Sequence, residues 1–428
     1  MSSRQDELRS QQFAVERLVG ALIAHDADPR RPPLRRSGAA VLAGVLIAAL
    51  AAGVLAGYGM LTGAGRAEPT DPSVVLLDRR SGARYVYLET DRRLHPVLNY
   101  TSGLLLATGE SPRVAAVTAG KLAGVPLGAP LGIPDAPDWL PPADSLLGGA
   151  WTVCTDAATG APRGTLLVGT TPDAPVTDRA LLVRDPADRT FLVHDGRRFQ
   201  LPAGRTDPTM RALGWYGRTP WPVAAAWIDA VPAGPDLIAP VVPGAGSPSA
   251  APGHRVGEVL TDSGAQFAVV MADGIAAVTE MQARLLGPAS PVGAEFLRLP
   301  PAGRGPGFAA GLPPAVPRIA DSPVRACVTR PADGPASVRL DPVYPSGSAP
   351  AADSRADAVH VARGRGAVVT SPGGAVQVVT DAGWAYPLAS RDLLGKLGYP
   401  DVRPVPVPAE LIALLPAGPL LDPRRAGR

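Results

Sequence analysis

The residues with the widest chemical options in this 428-residue chain are its two cysteines, two lysines and five histidines. Cys154 and Cys327 could serve as thiolate ligands, as a nucleophile or as a disulfide. A metal site needs His, Cys or carboxylate groups at ligand spacing, and His25, His95, His194, His254 and His360 are scattered one by one. A phosphate-binding lysine belongs to a G-x-x-x-x-G-K-[ST] loop. The segments around Lys121 (115–122) and Lys396 (390–397) lack both the leading glycine and the hydroxyl residue. There is no G-x-S-x-G nucleophile elbow and no H-E-x-x-H pair. Asp135 and Asp138 are close, but Pro134 and Pro137 make their segment a rigid loop instead of an acid/base pair. No catalytic residue, cofactor or metal ligand is assigned, and the chain reads as a scaffold.

What the cysteines do depends on the compartment, which an apolar run decides. Between Arg36 and Arg66 no side chain is charged, and residues 39–61 are almost unbroken Ala, Val, Leu, Ile and Gly. As a helix they reach about 35 Å, enough to cross a hydrocarbon core of about 30 Å. A buried helix of a soluble core would show a polar face. A cleaved signal peptide would have a shorter polar lead and a shorter apolar run. One retained span is therefore predicted over 37–65. Arg30, Arg31, Arg35 and Arg36 precede it, whereas Arg66 is followed by Glu68 and Asp71, so the N-terminus is predicted to stay cytoplasmic and the rest to lie outside. An even cysteine count in an oxidising compartment favours a Cys154–Cys327 disulfide over two buried free thiols.

Residues 4–27 are predicted to form a helix in the cytoplasmic arm (1–36), capped by Ser3. Leu8, Val15, Leu18, Val19 and Leu22 fall on one face of it. That stripe is too narrow to make a core. It is read as a docking face for a cytoplasmic partner, with a membrane-surface helix and a solvated lead-in as alternatives.

After a linker (66–74) about 360 residues remain, enough for several cores. Pro (50) and Gly (48) punctuate short β-type runs instead of forming tracts, which points to many strands joined by tight turns. A net charge of +3, with no basic stripe interleaved with aromatics, gives no sign of a nucleic-acid surface. The runs repeat four times, each copy a small β-meander followed by a short helix: repeat 1 (75–110), repeat 2 (180–250), repeat 3 (251–288) and repeat 4 with a C-terminal tail (361–428). Between them lie two hairpins whose first strands carry Cys154 and Cys327, assigned to a central domain in two parts (111–179 and 289–360). The predicted fold is mostly β (α+β): one transmembrane helix, then four repeats around a disulfide-linked centre.

Several segments resemble the EccB family, the membrane-anchored core component of the type VII (ESX) secretion system. They are Gly82-Ala83-Arg84-Tyr85-Val86, 93–99, 131–137, Trp151-Thr152-Val153-Cys154, Leu397-Gly398-Tyr399 and 415–423. The arm departs from the family pattern, with Gln11-Gln12-Phe13-Ala14 where a Gly-Tyr-Arg-Phe-like start is usual. The resemblance implies a single-pass cell-membrane subunit that assembles with EccC, EccD, EccE and further copies of itself. Neither a nucleic acid nor a small-molecule substrate is implied. Some family members have been described as ATPases; with no phosphate cradle in the sequence, hydrolysis is not expected here. A membrane-anchored cell-wall-binding module and a membrane-anchored hydrolase are the rival readings.

Overall fold

A computed structural model describes residues 4–24, 37–61, 67–158, 160–349 and 354–428. The first helix, α1 (Arg4–Ala24), covers the predicted arm helix except for 25–27, which fall outside the described residues. The second, α2 (Ser37–Leu61), holds the apolar run in 25 residues, about 37 Å of helix; positions 62–65 also fall outside. Counting described residues alone, with side chains described over 40–54 of α2, no helix is long and apolar enough to cross a membrane.

The chain divides into two compact units, Met1–Leu94 with Val114–Leu127, and His95–Arg113 with Gly128–Arg428. The first holds most of a four-stranded sheet built from β1 (Val74–Asp78), β2 (Arg84–Leu88), β3 (Arg93–Pro96) and β4 (Arg113–Val117), in the order β3-β2-β1-β4. Between β3 and β4 the chain forms α3 (Tyr100–Leu106), part of the second unit; α4 (Ala119–Leu122) follows β4.

Turn chemistry explains why the meanders form. Asp78 ends β1 and accepts the amides of Arg80 (3.2 Å) and Ser81 (3.3 Å), which folds the chain straight back into β2. Asp185 and Asp262 occupy the same place in the next two copies, each accepting several turn amides. The second turn of each meander needs positive φ, supplied by Arg92, by Asp195-Gly196, by Gly274 and by Gly383.

In the second unit the chain runs through β5 (Trp151–Asp156) and β6 (Arg163–Leu167). The second repeat follows, with β7 (Leu181–Arg184), β8 (Thr190–His194), β9 (Arg197–Gln200), α5 (Thr206–Ala212), β10 (Trp221–Pro222) and α6 (Ala225–Ala230). The third has β11 (Val259–Thr261), β12 (Phe267–Met271), β13 (Gly274–Val278), α7 (Glu280–Leu286) and β14 (Ala289–Pro291). Then come β15 (Arg325–Arg330), β16 (Ser337–Leu340) and β17 (Ala358–His360). The fourth repeat has β18 (Ala367–Thr370), β19 (Val376–Val379), β20 (Ala385–Pro387), α8 (Leu393–Lys396), β21 (Val405–Pro406), α9 (Ala409–Ile412) and α10 (Pro423–Ala426).

Each repeat carries more than the meander and helix read from sequence. After the helix the chain returns as a fourth strand beside the first, parallel to it in β10–β7, β14–β11 and β21–β18. A proline-led strap then covers the opposite edge, which would otherwise expose unpaired backbone groups. The Arg198 amide donates to Pro232 O (2.8 Å) and the Gly234 amide to Arg198 O (2.7 Å). The same ladder joins Ile275 to Pro300 and Ala302, and Ala385 to Pro416 and Gly418. Leu94 donates to Pro126 O in the first repeat.

The centre is a five-stranded sheet, β16-β15-β5-β6-β17. The helix α6 of repeat 2 packs on β5, β6 and β15, and α9 of repeat 4 packs on α6. Trp151, Val153, Trp221, Trp227, Leu411 and Ile412 share the resulting core. The repeat helices also pair: α5 packs on α7, and α3 packs on α8 and α10.

Candidate functional site

The strands β5 and β15 are antiparallel neighbours, with Cys154 directly opposite Cys327. The two are joined by a disulfide across a sequence separation of 173, so the free-thiol alternative is set aside. Both cysteines are fully buried with Leu167, and Tyr344 packs over them. Further along the same pair the Thr152 and Thr329 hydroxyls meet at 3.0 Å, and at its other end Arg325 Nε donates to Asp156 Oδ2 at 2.7 Å. Burial pushes the Asp156 carboxyl up, but the Ala158 amide and the Arg325 guanidinium outweigh it and hold the group below its ordinary range. This centre is a staple, and its polar groups are spent on one another.

Several of the remaining titratable groups are also engaged in structural contacts. His95 bonds Ala129 O through Nδ1 (2.8 Å), and His254 meets Glu258 (3.0 Å). His194 Nδ1 is buried without a partner. Asp138 receives the Tyr100 amide, so it anchors the start of α3, whereas Asp135 sits at positive φ in the loop before it. Lys396 donates Nζ to Ala107 O (2.6 Å) and Leu105 O (3.4 Å), and burial lowers its pKa. Among the described residues no group of His, Cys and carboxylates could hold a metal. A cleft of about 710 Å³ is lined by Arg198, Asp229, Arg355 and Glu410, among others, beside α6 and α9. Its two carboxylates are already paired, Asp229 with Arg198 (3.3 Å) and Glu410 with Arg330 (3.4 Å).

The predicted docking stripe on α1 is solvent-facing in the single chain: Leu8, Val15, Leu18, Val19 and Leu22 are all exposed. Phe13, which the stripe did not include, is exposed as well.

Residues 2–428 match the family described as "Type VII secretion system ESX-1, transport TM domain B". The chain belongs to the EccB family. Its relatives include "ESX-2 secretion system ATPase EccB2" of Mycobacterium tuberculosis, 33% identical over 69% of this chain and 61% of that protein. Another is "ESX-3 secretion system ATPase EccB3" of Mycolicibacterium smegmatis, 32% identical over 64% of this chain and 55% of that protein. The chain thus spans less than two thirds of the length of these EccB relatives. Among solved structures, a chain of an intact ESX-5 inner membrane complex superposes with TM-score 0.67 and 26% identity, covering 100% of this chain and 95% of that one. A chain of the EccB3 dimer from the ESX-3 core complex gives TM-score 0.67 at 25% identity, covering 83% and 99%.

Sequence reading missed the straps of this EccB chain, although a signal for them exists. Pro232-Ala233-Gly234 and Pro416-Ala417-Gly418 are the same triplet, Pro126-Leu127-Gly128 differs at one position, and each follows a repeat's second helix.

Proposed function

We propose that this chain is a membrane-anchored structural subunit of a type VII secretion complex, holding the assembly together through an inner arm and an outer body. The observation that carries this reading is the family match over residues 2–428, together with full coverage of the chain by a subunit of an ESX-5 inner membrane complex. In this reading α2 crosses the membrane once, the arginines before it keep α1 in the cytoplasm, and residues beyond 66 lie outside. The Cys154–Cys327 bond supports the outer placement, because disulfides persist in oxidising compartments. The exposed stripe on α1 meets other subunits of the membrane complex (EccC, EccD and EccE by family resemblance), and the body meets further copies of itself.

The relatives' names include the word ATPase. We assign this chain to assembly and not to nucleotide turnover, because the sequence has no phosphate-binding loop and Lys396 is committed to backbone carbonyls. Extraction in mild detergent followed by native electrophoresis tests the reading: the chain should run in a high-mass complex with other membrane subunits. Migration as a lone chain, or ATP turnover by the purified chain that a single substitution within it abolishes, would overturn it.

A further inference from the structure

Two helix junctions in the second unit are copies of each other, and one lacks a side chain that the other has. After α5 the Trp215 amide closes on Met210 O at 2.7 Å; after α8 the Tyr399 amide closes on Leu394 O at 2.8 Å. Gly214 (φ 73°) and Gly398 (φ 89°) share the left-handed position between them. Position for position, Ala212 corresponds to Lys396. The partner helices correspond too. Both α7 and α3 are seven residues long, start on side-chain caps at Thr279 and Asn99, and end at Gly287 and Ala107.

At the α8–α3 junction the Lys396 side chain is half-buried and its ammonium caps the last carbonyls of α3. At the α5–α7 junction Ala212 stops short, and a groove of about 220 Å³ is left, lined among others by Arg205, Ala212, Ile238, Arg284 and Leu286. Arg205 stands at the start of α5 with no capping bond, and Arg284 lies 4.0 Å from Glu280 in the last turn of α7. Two guanidiniums, Arg205 and Arg284, therefore line the groove against one neighbouring carboxylate, Glu280, so its net charge is positive and an entering group should be negative. Beside these guanidiniums the irregular segment after the strap exposes Ile238 (52%) and, further along, Val241 (89%).

We propose that this groove docks an acidic, aliphatic segment of a partner protein, with a carboxylate drawn to Arg205 and Arg284 and a leucine-like side chain on Ile238. The groove lies wholly within one compact unit, and its chemistry is independent of the secretion role.

The test uses the detergent-solubilised full chain and two fluorescein-labelled peptides, Leu-Glu-Glu-Leu-Leu and the same peptide with both Glu replaced by Gln, read by anisotropy. The acidic peptide should bind about tenfold or more tighter than its neutral twin, and Arg205→Glu or Arg284→Glu should each remove that preference. Ala212→Met supplies an uncharged chain one atom shorter than the one Lys396 places in the twin. It should close the groove and abolish binding while the melting temperature is unchanged. Equal binding of the two peptides, or full binding by Ala212→Met, would overturn the proposal. So would a change in the chain's own oligomeric size on Ala212→Met, which would assign the groove to a second copy.

Discussion

A β-carbon on Gly234 would stand 2.5 Å from Cε1 of Phe199, so the strap can cross this ring only as glycine. The same holds for Gly128 over His95 (2.2 Å) and Gly418 over Tyr386 (2.3 Å). The third repeat has the complementary solution: the backbone ladder puts Ala276 in the ring's place and Ala302 in the glycine's. Gly234→Ala and Gly418→Ala should each destabilise the chain by about 1–3 kcal/mol through overpacking. Ala302→Gly should cost only about 0.5–1 kcal/mol of backbone entropy. Chemical melts of the three variants decide it, and equal losses at 234 and 302 would refute the exchange of ring for glycine.

Trp227 is 0% exposed in the core that joins repeats 2 and 4 to the central sheet, and its indole N–H has no hydrogen-bond partner. Trp227→Ala should therefore cost about 3–5 kcal/mol as a cavity. Trp227→Phe, which leaves no polar group unpaired, should cost markedly less. Both are read from denaturation midpoints of the purified chain.

Replacing Cys154 and Cys327 together by alanine should lower stability by about 4–5 kcal/mol, since the bond closes a loop of 173 residues in the unfolded chain. Non-reducing melts of the double variant against the parent measure the loss. A difference under about 1 kcal/mol would mean that the paired strands hold the centre without the bond.

The Ser81 hydroxyl and the amides of Arg80 and Ser81 hold the Asp78 carboxyl below its ordinary pKa of 3.8. A carboxylate lowered on folding stabilises the folded state above its unfolded value, and that contribution disappears as the pH falls through the folded value. Melting temperatures taken from pH 6 down through the region around and below 3.8 should fall more steeply for the parent than for Asp78→Asn. Parallel curves would remove Asp78 from the acid limb.

Leu18 and Leu22 are exposed on α1, at 65% and 71%. If the stripe is a docking face, Leu18→Asp or Leu22→Asp should each weaken partner binding by about 2 kcal/mol or more, while the body melts as before. Co-purification of the other membrane subunits with each variant is the measurement. Normal assembly of both would leave α1 as a solvated lead-in.

Several levels of this fold are legible in the sequence. Alternation and turn residues mark the antiparallel strands, as in Thr190–His194 and Arg197–Gln200 joined by Asp195-Gly196. Cysteine parity and compartment point to the Cys154–Cys327 bond. The fourth strands are hidden because β10 and β21 are two residues long and end in Pro222 and Pro406, and proline ordinarily argues against a strand. The straps are written as a recurring Pro-Ala-Gly. Their purpose emerges only once a ring such as Phe199 is seen beneath the glycine. The pairing of α3 with α8 and α10 joins residues nearly a whole body apart, and no local pattern encodes it. The groove beside Ala212 becomes visible only by comparison with Lys396.

The bond between β5 and β15 also governs what a protease can remove. Repeats 2 and 3, the segment between them and the turn from β5 into β6 lie inside the covalent loop it closes. A single cut anywhere in that loop opens the backbone but yields no free fragment, because both new pieces remain tethered through sulfur. Cuts before Cys154 or after Cys327 have no such covalent tether, and the piece carrying the first or the fourth repeat is then held by packing alone, through α3 on α8 and α10 and through Leu411 and Ile412 in the shared core. A cut in the middle of the body therefore leaves one covalent molecule, whereas a cut at either flank leaves two that only packing holds together.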